Sequence, residues 1–471
     1  MHRVGTDQKA IDIAIIGAGI SGLSLAHFLK QHHEKKHRNK LNVFIFESSN
    51  QSGGWIQTRR DGPYLYELGP ESLQDKHSAL IELIEDLGLS QHMIYADKQA
   101  KRRQIYFENR LRSFNGIQSL ADNNAIALRD SLRLGAEIFL ATSPKNDISL
   151  YNFGVKHFGK RNTITLLDAM QSGIYAGNIK TLSAESAFPS LFKRAQNSRS
   201  ILLSLLREKK ASPTHIFSFH EGLSKITQGL TEVFSPITQR KVLAVRQDSD
   251  YAELIFQDHF IQAKQVILTT PASVSAKLLE SAVPSATSIL DSIPYSDLVV
   301  ATIALNRNQL TKDQQLQLRG FGFLAPRNAG LRMLGVLYSS NSFDRRCPDD
   351  QVLLRVFLGG QCDPEMMQLD DKRIEEICRI ELGTVLKATF DFCYCRLDRQ
   401  RGAIPHFEVG HAARMREFDR KLRERCPSIH LAGSSYVNGV GATVEQAKAL
   451  AQHILRKHNF SQRDQRYKEG Q

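Results

Sequence analysis

Ile11-Asp12-Ile13-Ala14-Ile15-Ile16-Gly17-Ala18-Gly19-Ile20-Ser21-Gly22 is the stretch on which the fold turns. Residues 11–16 read as a short buried strand. The next six have the G-x-G-x-x-G pattern, and LSLAHFLKQ (23–31) carries apolar residues at helical spacing. Strand, glycine loop and helix in this order form a dinucleotide-binding unit. Gly17 permits a tight turn, Gly19 lets the backbone approach a pyrophosphate, and Gly22 lets helix and strand pack closely. The helix N-terminus then holds phosphate charge with its free amides and dipole. A secretory signal peptide is excluded, because Asp12 and three glycines break the apolar stretch and no cleavage pattern follows.

Downstream, LNVFIFE (41–47) reads as a second strand ending in Glu47, where a carboxylate accepts hydrogen bonds from a ribose. Glu47 comes 25 residues after Gly22 (47 − 22), slightly late, and the polar run QHHEKKHRNK (31–40) accounts for the delay. Gly53-Gly54 allows another close backbone approach, and Glu67-Leu68-Gly69-Pro70 makes a further turn. This succession resembles the flavin amine oxidase superfamily. The resemblance implies FAD, held by Gly17, Ala18, Gly19, Ile20, Ser21 and Gly22, then by Glu47, Ser48, Gly53, Gly54 and Trp55, then by Gly69, Pro70, Glu71 and Ser72. No second G-x-G-x-x-G follows, so the flavin is expected to be reoxidised by oxygen or another small acceptor.

Other cofactor segments lie far along the chain. KVLAV (241–245) and VILTTPA (266–272) read as strands, and the resemblance brings Val242 to the adenine; ordinary sheet core is the competing reading. Near the C-terminus an apolar strand, Ile429–Ala432, meets Gly433, a loop through Gly439 and Gly441, and a helix from about Thr443. A helix N-terminus there favours the negative charge of reduced flavin by about 0.3–1 kcal/mol. Gly433, Val440, Gly441, Ala442 and Thr443 are the expected contacts, and with no Cys in the loop the FAD is expected to be non-covalent.

The fold class expected is α/β. A discontinuous Rossmann-type FAD-binding domain takes 1–78, 227–288 and 427–471. An α+β substrate domain takes 79–115, 203–226 and 289–426, and an inserted helical domain takes 116–202. The closing SQRDQRYKEGQ (461–471) reads as a frayed tail.

Composition agrees with a globular enzyme. The chain has 471 residues, 41% of them apolar and 24% charged, which suits two or three domains and excludes disorder and coiled coil. No apolar run approaches the roughly 18–20 residues of a spanning helix. Six cysteines fall in the last third and none forms C-x-x-C, so neither zinc nor a redox dithiol is signalled and a reducing compartment fits. The net charge of +13 favours anionic partners. Its densest zone, Arg396 to Arg425, is interrupted by acidic residues and reads as a solvated helix face; without a recognition motif, nucleic acid is not an expected partner.

Within this frame Ser172-Gly173-Ile174-Tyr175-Ala176-Gly177-Asn178, followed by LSxxSxFPSL, resembles the protoporphyrinogen oxidases. So do Gly320-Phe321-Gly322-Phe323-Leu324, Leu334-Gly335 with Tyr338-Ser339-Ser340, Phe357-Leu358-Gly359-Gly360 and Ala403-Ile404-Pro405. The likeness runs in order from residue 11 to about 456. The last flavin loop departs from it, reading Gly439-Val440-Gly441-Ala442-Thr443-Val444-Glu445. The resemblance implies a six-electron oxidation of protoporphyrinogen IX to protoporphyrin IX in three two-electron steps, with oxygen as acceptor, in haem biosynthesis. Coproporphyrinogen III is the alternative substrate, differing by two propionates in place of two vinyls. An amine or polyene oxidase, or a flavin carrier without turnover, are the competing classes.

Site residues follow from the same likeness. Arg103 is expected to hold a substrate propionate, and the Gly173 carbonyl to steer or accept protons from the macrocycle. Leu324, Leu337 and Phe357 sandwich the ring, while His406 and His411 read as structural histidines. A metal is not expected. The helical region carries Phe153, Phe158, Ile164, Leu166, Leu167 and Met170 beside Lys156, Lys160, Arg161, Lys193 and Arg194. Such a stripe suits peripheral contact with anionic lipid, or packing on its own domain. The partners implied are the porphyrinogen and oxygen; a homodimer and hand-over to the next haem-pathway enzyme are left open. Met1 to Lys9 carries no evident organellar transit peptide, so the expected place is the cytoplasm, at the cytoplasmic face of the inner membrane.

Overall fold

The computed structural model describes residues 11–34, 41–114, 135–137, 142–198, 200–207 and 214–468. Strand Ile11–Ile16 pairs in parallel with Val43–Phe46 on one edge and with Phe260–Leu268 on the other. A parallel strand covered on both faces must be apolar throughout, which is why this run does not alternate. Phe260–Leu268 also takes Ile429–Leu431 in parallel and Tyr251–Ile255 antiparallel, and Ala244–Asp248 completes a six-stranded sheet. Segments from the start, middle and end of the chain thus share one sheet.

Helices Ile20–Glu34 and Val440–Lys468 cover one face of it, with Leu23, Phe28, Val444, Ala447 and Ala451 in their common core. That core also takes Leu80, Leu83 and Ile84 from helix Ser78–Asp86, and Phe217, Phe219 and Leu223 from the chain before helix Ser224–Phe234. The sequence reading puts residues 79–86 and 216–223 in the substrate domain; their apolar faces lie here because the first helix leaves a second side to be covered. Boundaries move elsewhere as well. Val242 precedes its strand, a helix begins at Ala272, and the C-terminal helix starts at Val440 and runs to Lys468 through most of the expected tail.

A seven-stranded sheet runs from Tyr394–Pro405 through Tyr295–Asn306, Gln351–Gly359, Met333–Leu337 and Gly322–Leu324 to Arg103–Phe107 and Arg110–Phe114. Its neighbours are antiparallel except Gly322–Leu324 with Arg103–Phe107. One face, with Val299, Ile303, Leu354 and Val356, is sealed by helix Asp371–Leu386. The opposite face looks toward the first sheet's loops and toward a helical layer.

Helices Leu150–Phe158, Asp168–Tyr175 and Pro189–Asn197 build that layer, and residues 116–134, 138–141 and 199 of the expected helical region lie outside the described ones. Phe153, Phe158, Leu166 and Leu167 are buried in its core with Phe192, Ile105 and Phe407. Of the two readings of this stripe, lipid contact or packing on its own domain, these four residues follow the second. Among the described residues no helix is long and apolar enough to cross a membrane.

Candidate active site

The loop after the first strand is shaped by where side chains would not fit. Gly17 has φ +109°, and a Cβ on it would lie 2.8 Å from Thr269 Oγ1. A Cβ on Gly22 would overlap the Gly17 carbonyl oxygen. Gly19 differs: the nearest atom to a Cβ there is the Gly54 Cα at 3.8 Å, so its bareness leaves open backbone.

Two further segments close on this loop. The Ala18 amide donates to Glu47 Oε2 at 2.9 Å, and the Gly53 amide donates to the Ala18 carbonyl at 2.8 Å. Glu47 Oε1 accepts from the Ser49 amide, and the exposed Ser48 hydroxyl lies 3.4 Å from the same oxygen. From the other end of the chain, Gly433 (φ +118°) would place a Cβ 3.4 Å from Ser21 Oγ. The Ser21 and Ser52 hydroxyls are buried without a partner among the described residues. Bare backbone at Gly19 and Gly54, unpartnered hydroxyls beside them and a helix beginning at Ile20 fit the phosphates and hydroxyls of a dinucleotide.

The expected cofactor residues do not all face this cradle. The Val242 side chain is buried in the core with Ile16, Phe46 and Phe256. Trp55 is 42% exposed and contributes its backbone, against which Gly69 packs too closely for any side chain. Gly441 packs on the His77 ring, and the Thr443 hydroxyl is spent on the Gly439 carbonyl at 3.0 Å. Glu71 turns its carboxylate to Arg355 Nη1 at 2.5 Å, because Arg355 is a fully buried cation that requires a counter-charge. Pro70 and Ser72 flank it on the same partly buried loop.

The expected substrate residues come together. Arg103 pairs with Gly322, Gly322 with Leu337, Leu337 with Arg355 and Arg355 with Thr302, forming one cross-strand row. In the next row Ile105 pairs with Leu324, Leu324 with Gly335, Gly335 with Phe357 and Phe357 with Val300. Rows two residues apart share a face. Arg103, Leu324, Leu337 and Phe357 therefore stand on one face, the face not sealed by the helix. Gly69 and Glu71 meet that face through Arg355, and Leu68 meets it through Gln400.

Arg103 is exposed, 5.9 Å from the Phe321 ring, and pairs with no carboxylate among the described residues. Surrounding protein lowers its pKa by desolvation, from a value so high that the charge persists. Leu324, Leu337 and Phe357 are half-buried. Gly173 stands against Leu324: a Cβ on it would lie 2.5 Å from Leu324 Cδ2.

Gly173 lies within its helix and does not end it; Ala176, in the left-handed region at φ +45°, is the cap. Gln171 then diverts the chain. Its Oε1 accepts the Gly177 amide and its Nε2 donates to the Gly177 carbonyl, each at 3.0 Å. The amide that a continued helix would give to the carbonyl of the exposed Gly173 is thereby taken.

The histidines take the structural role expected. His406 bonds Thr181 Oγ1 at 2.9 Å and His411 stacks on Phe407 with centroids 4.4 Å apart. Burial pushes each down to about 4, so both are neutral at pH 7. Two functional candidates escaped sequence reading. Arg355, a lone charge inside the apolar run LLRVF, carried a usable signal. Gln171 carried none.

A discontinuous glycine-lined cradle set beside a sheet face of apolar and cationic side chains defines an FAD-dependent oxidoreductase. Residues 20–455 match the sequence pattern of the flavin-containing amine oxidoreductases, and the chain belongs to that family. It is 26% identical to the chloroplastic protoporphyrinogen oxidase of Nicotiana tabacum, covering 96% of this chain and 86% of the relative. It is 25% identical to the coproporphyrinogen III oxidase of Bacillus subtilis, covering 94% and 97%. A crystal structure from Exiguobacterium sp. 255-15 superposes with a TM-score of 0.79 at 22% identity over 95% of this chain and 99% of that one. The cyclohexylamine oxidase of Brevibacterium oxydans gives 0.71 at 16% identity, over 96% and 100%. At these identities the two structures speak for the fold alone.

Proposed function

We propose that the protein oxidises protoporphyrinogen IX to protoporphyrin IX in haem biosynthesis, with oxygen as the final acceptor. The observation that carries this reading is the single sheet face on which Arg103, Leu324, Leu337 and Phe357 stand, with Gly173 against Leu324. Bound FAD supplies a two-electron acceptor, used three times per macrocycle.

The chain's own residues do the rest. Arg103 holds a substrate carboxylate with an unspent charge, a bond worth about 1.5–3 kcal/mol. Leu324, Leu337 and Phe357 give the macrocycle an apolar bed and exclude water from it. The Gly173 carbonyl accepts a pyrrole N–H and so orients the ring. Neither His406 nor His411 serves as base, since each is buried, held by a structural contact and, with its pKa pushed down to about 4, only weakly basic. The six cysteines are all free, which supports a working place in the cytoplasm.

Coproporphyrinogen III is the second reading, favoured by the Bacillus relative's name. The test is to record the visible spectrum of the purified protein, add anaerobically prepared porphyrinogens, admit oxygen and follow porphyrin fluorescence. Fluorescence rising at an enzyme-dependent rate is expected. Flavin-loaded protein that turns over amines but neither porphyrinogen would overturn the reading.

A further inference from the structure

Arg355 is fully buried, yet it lies on the same face and in the same row as Arg103. Three strand spacings separate them, about 14 Å, comparable to the breadth of a tetrapyrrole with its carboxylate arms. The two cations are treated in opposite ways. Arg103 is exposed and pairs with no carboxylate among the described residues. Arg355 gives Nη1 to Glu71 Oε2 at 2.5 Å and Nη2 to the Gly69 carbonyl at 3.2 Å, with its guanidinium 5.2 Å from the Phe357 ring. One end of the face therefore offers a free positive charge, and the other a neutralised, dry pair.

We propose that the Glu71–Arg355 pair determines which porphyrinogen is taken. By spending the Arg355 charge inside the protein it leaves Arg103 as the member of this row whose charge is free to receive a carboxylate. A macrocycle with two carboxylates on one side and vinyls on the other matches this asymmetry. One with four carboxylates must bring two of them toward the Glu71 carboxylate and apolar walls, where the Arg355 charge is already spent. The proposal rests on the porphyrinogen reading and makes Glu71 and Arg355 positioning and specificity residues for it.

The experiment compares both porphyrinogens on flavin-loaded protein, reading the ratio of kcat/KM for the two-carboxylate over the four-carboxylate substrate. A ratio within one preparation cancels losses of folded protein. Dissociation constants for the two product porphyrins, by fluorescence titration, give the same ratio without turnover. The wild-type ratio should exceed one. Glu71→Gln frees the Arg355 charge and should lower the ratio about tenfold, by improving the four-carboxylate substrate. Arg355→Met together with Glu71→Gln removes both charges from the low-dielectric site and should restore the wild-type ratio. Replacing a buried pair by neutral groups of similar volume is usually tolerated, so this variant keeps the test usable should the single one fail to fold.

A wild-type preference for the four-carboxylate substrate overturns the proposal. So does a ratio unmoved by Glu71→Gln, or a double variant that departs from wild type. Flavin-loaded protein inert to both substrates overturns the porphyrinogen reading itself, and this inference with it.

Discussion

The cofactor cradle and the substrate face are built on opposite principles. In the cradle the decisive property is the absence of side chains: Gly22 abuts the Gly17 carbonyl, Gly54 lies over Gly19, and Gly69 lies over the Trp55 backbone. On the substrate face the decisive property is which side chains alternate outward along four strands. Backbone geometry tolerates no substitution, whereas an alternating face can be rewritten one residue at a time. Damage in the first region should remove the flavin; damage in the second should leave it in place and change what is oxidised.

The largest effect should come from Gly22→Ala. Its Cβ would overlap the Gly17 carbonyl oxygen, and the obstacle is backbone, so helix and loop must separate. Overpacking of this kind costs about 3 kcal/mol or more when nothing flexible can yield. The variant should purify without flavin absorbance and unfold at lower temperature than wild type. A yellow, fully loaded variant would break the distinction between the regions.

Arg103→Ala comes next and should spare the flavin. Losing a charge-assisted bond of 1.5–3 kcal/mol lowers kcat/KM roughly 10- to 150-fold. Most of the change should lie in KM, because an anchor remote from the reacting bonds holds ground and transition states alike. An unchanged KM would remove Arg103 from substrate binding. Gly173→Ala should be milder. Its Cβ meets the end of the Leu324 side chain, which can swing aside. A shift of the apolar bed by a few tenths of an ångström should lower kcat about tenfold with flavin content unchanged. Loss of flavin in this variant would mean that the two regions are not separable.

The same contrast explains what the sequence disclosed. The cradle is local: strand, three glycines and helix are contiguous, and each glycine answers a constraint from its own neighbourhood, so residues 11–22 were legible from physics alone. The face is assembled from four strands between residues 103 and 357, and its register is set by pairing that no local pattern announces. Its members were named only through family resemblance. The partner of the Glu71 carboxylate was not legible, because the buried Arg355 that holds it lies 284 residues away. The choice between lipid and the domain's own core for Phe153 and Leu166 stayed open for a related reason: amphipathic spacing says that one side is covered, not by what.

The smallest effect is that of mild acid, and it separates architecture from chemistry. Burial holds His406, His411 and His430 each down to about 4. In the unfolded chain a histidine titrates near 6.5. Between these values the unfolded state binds protons that the folded state does not, so stability falls as pH drops through that window and is flat above it. From pH 7.5 to 6 the loss should be a few tenths to about 0.8 kcal/mol per histidine, read from urea midpoints. Over the same interval all three rings stay neutral in the folded protein, so they contribute no inflection to kcat. An inflection near pH 6.5 that disappears in His406→Gln would show a histidine taking part in the reaction, and the Gly173 carbonyl would then no longer be the polar group that orients the macrocycle unaided.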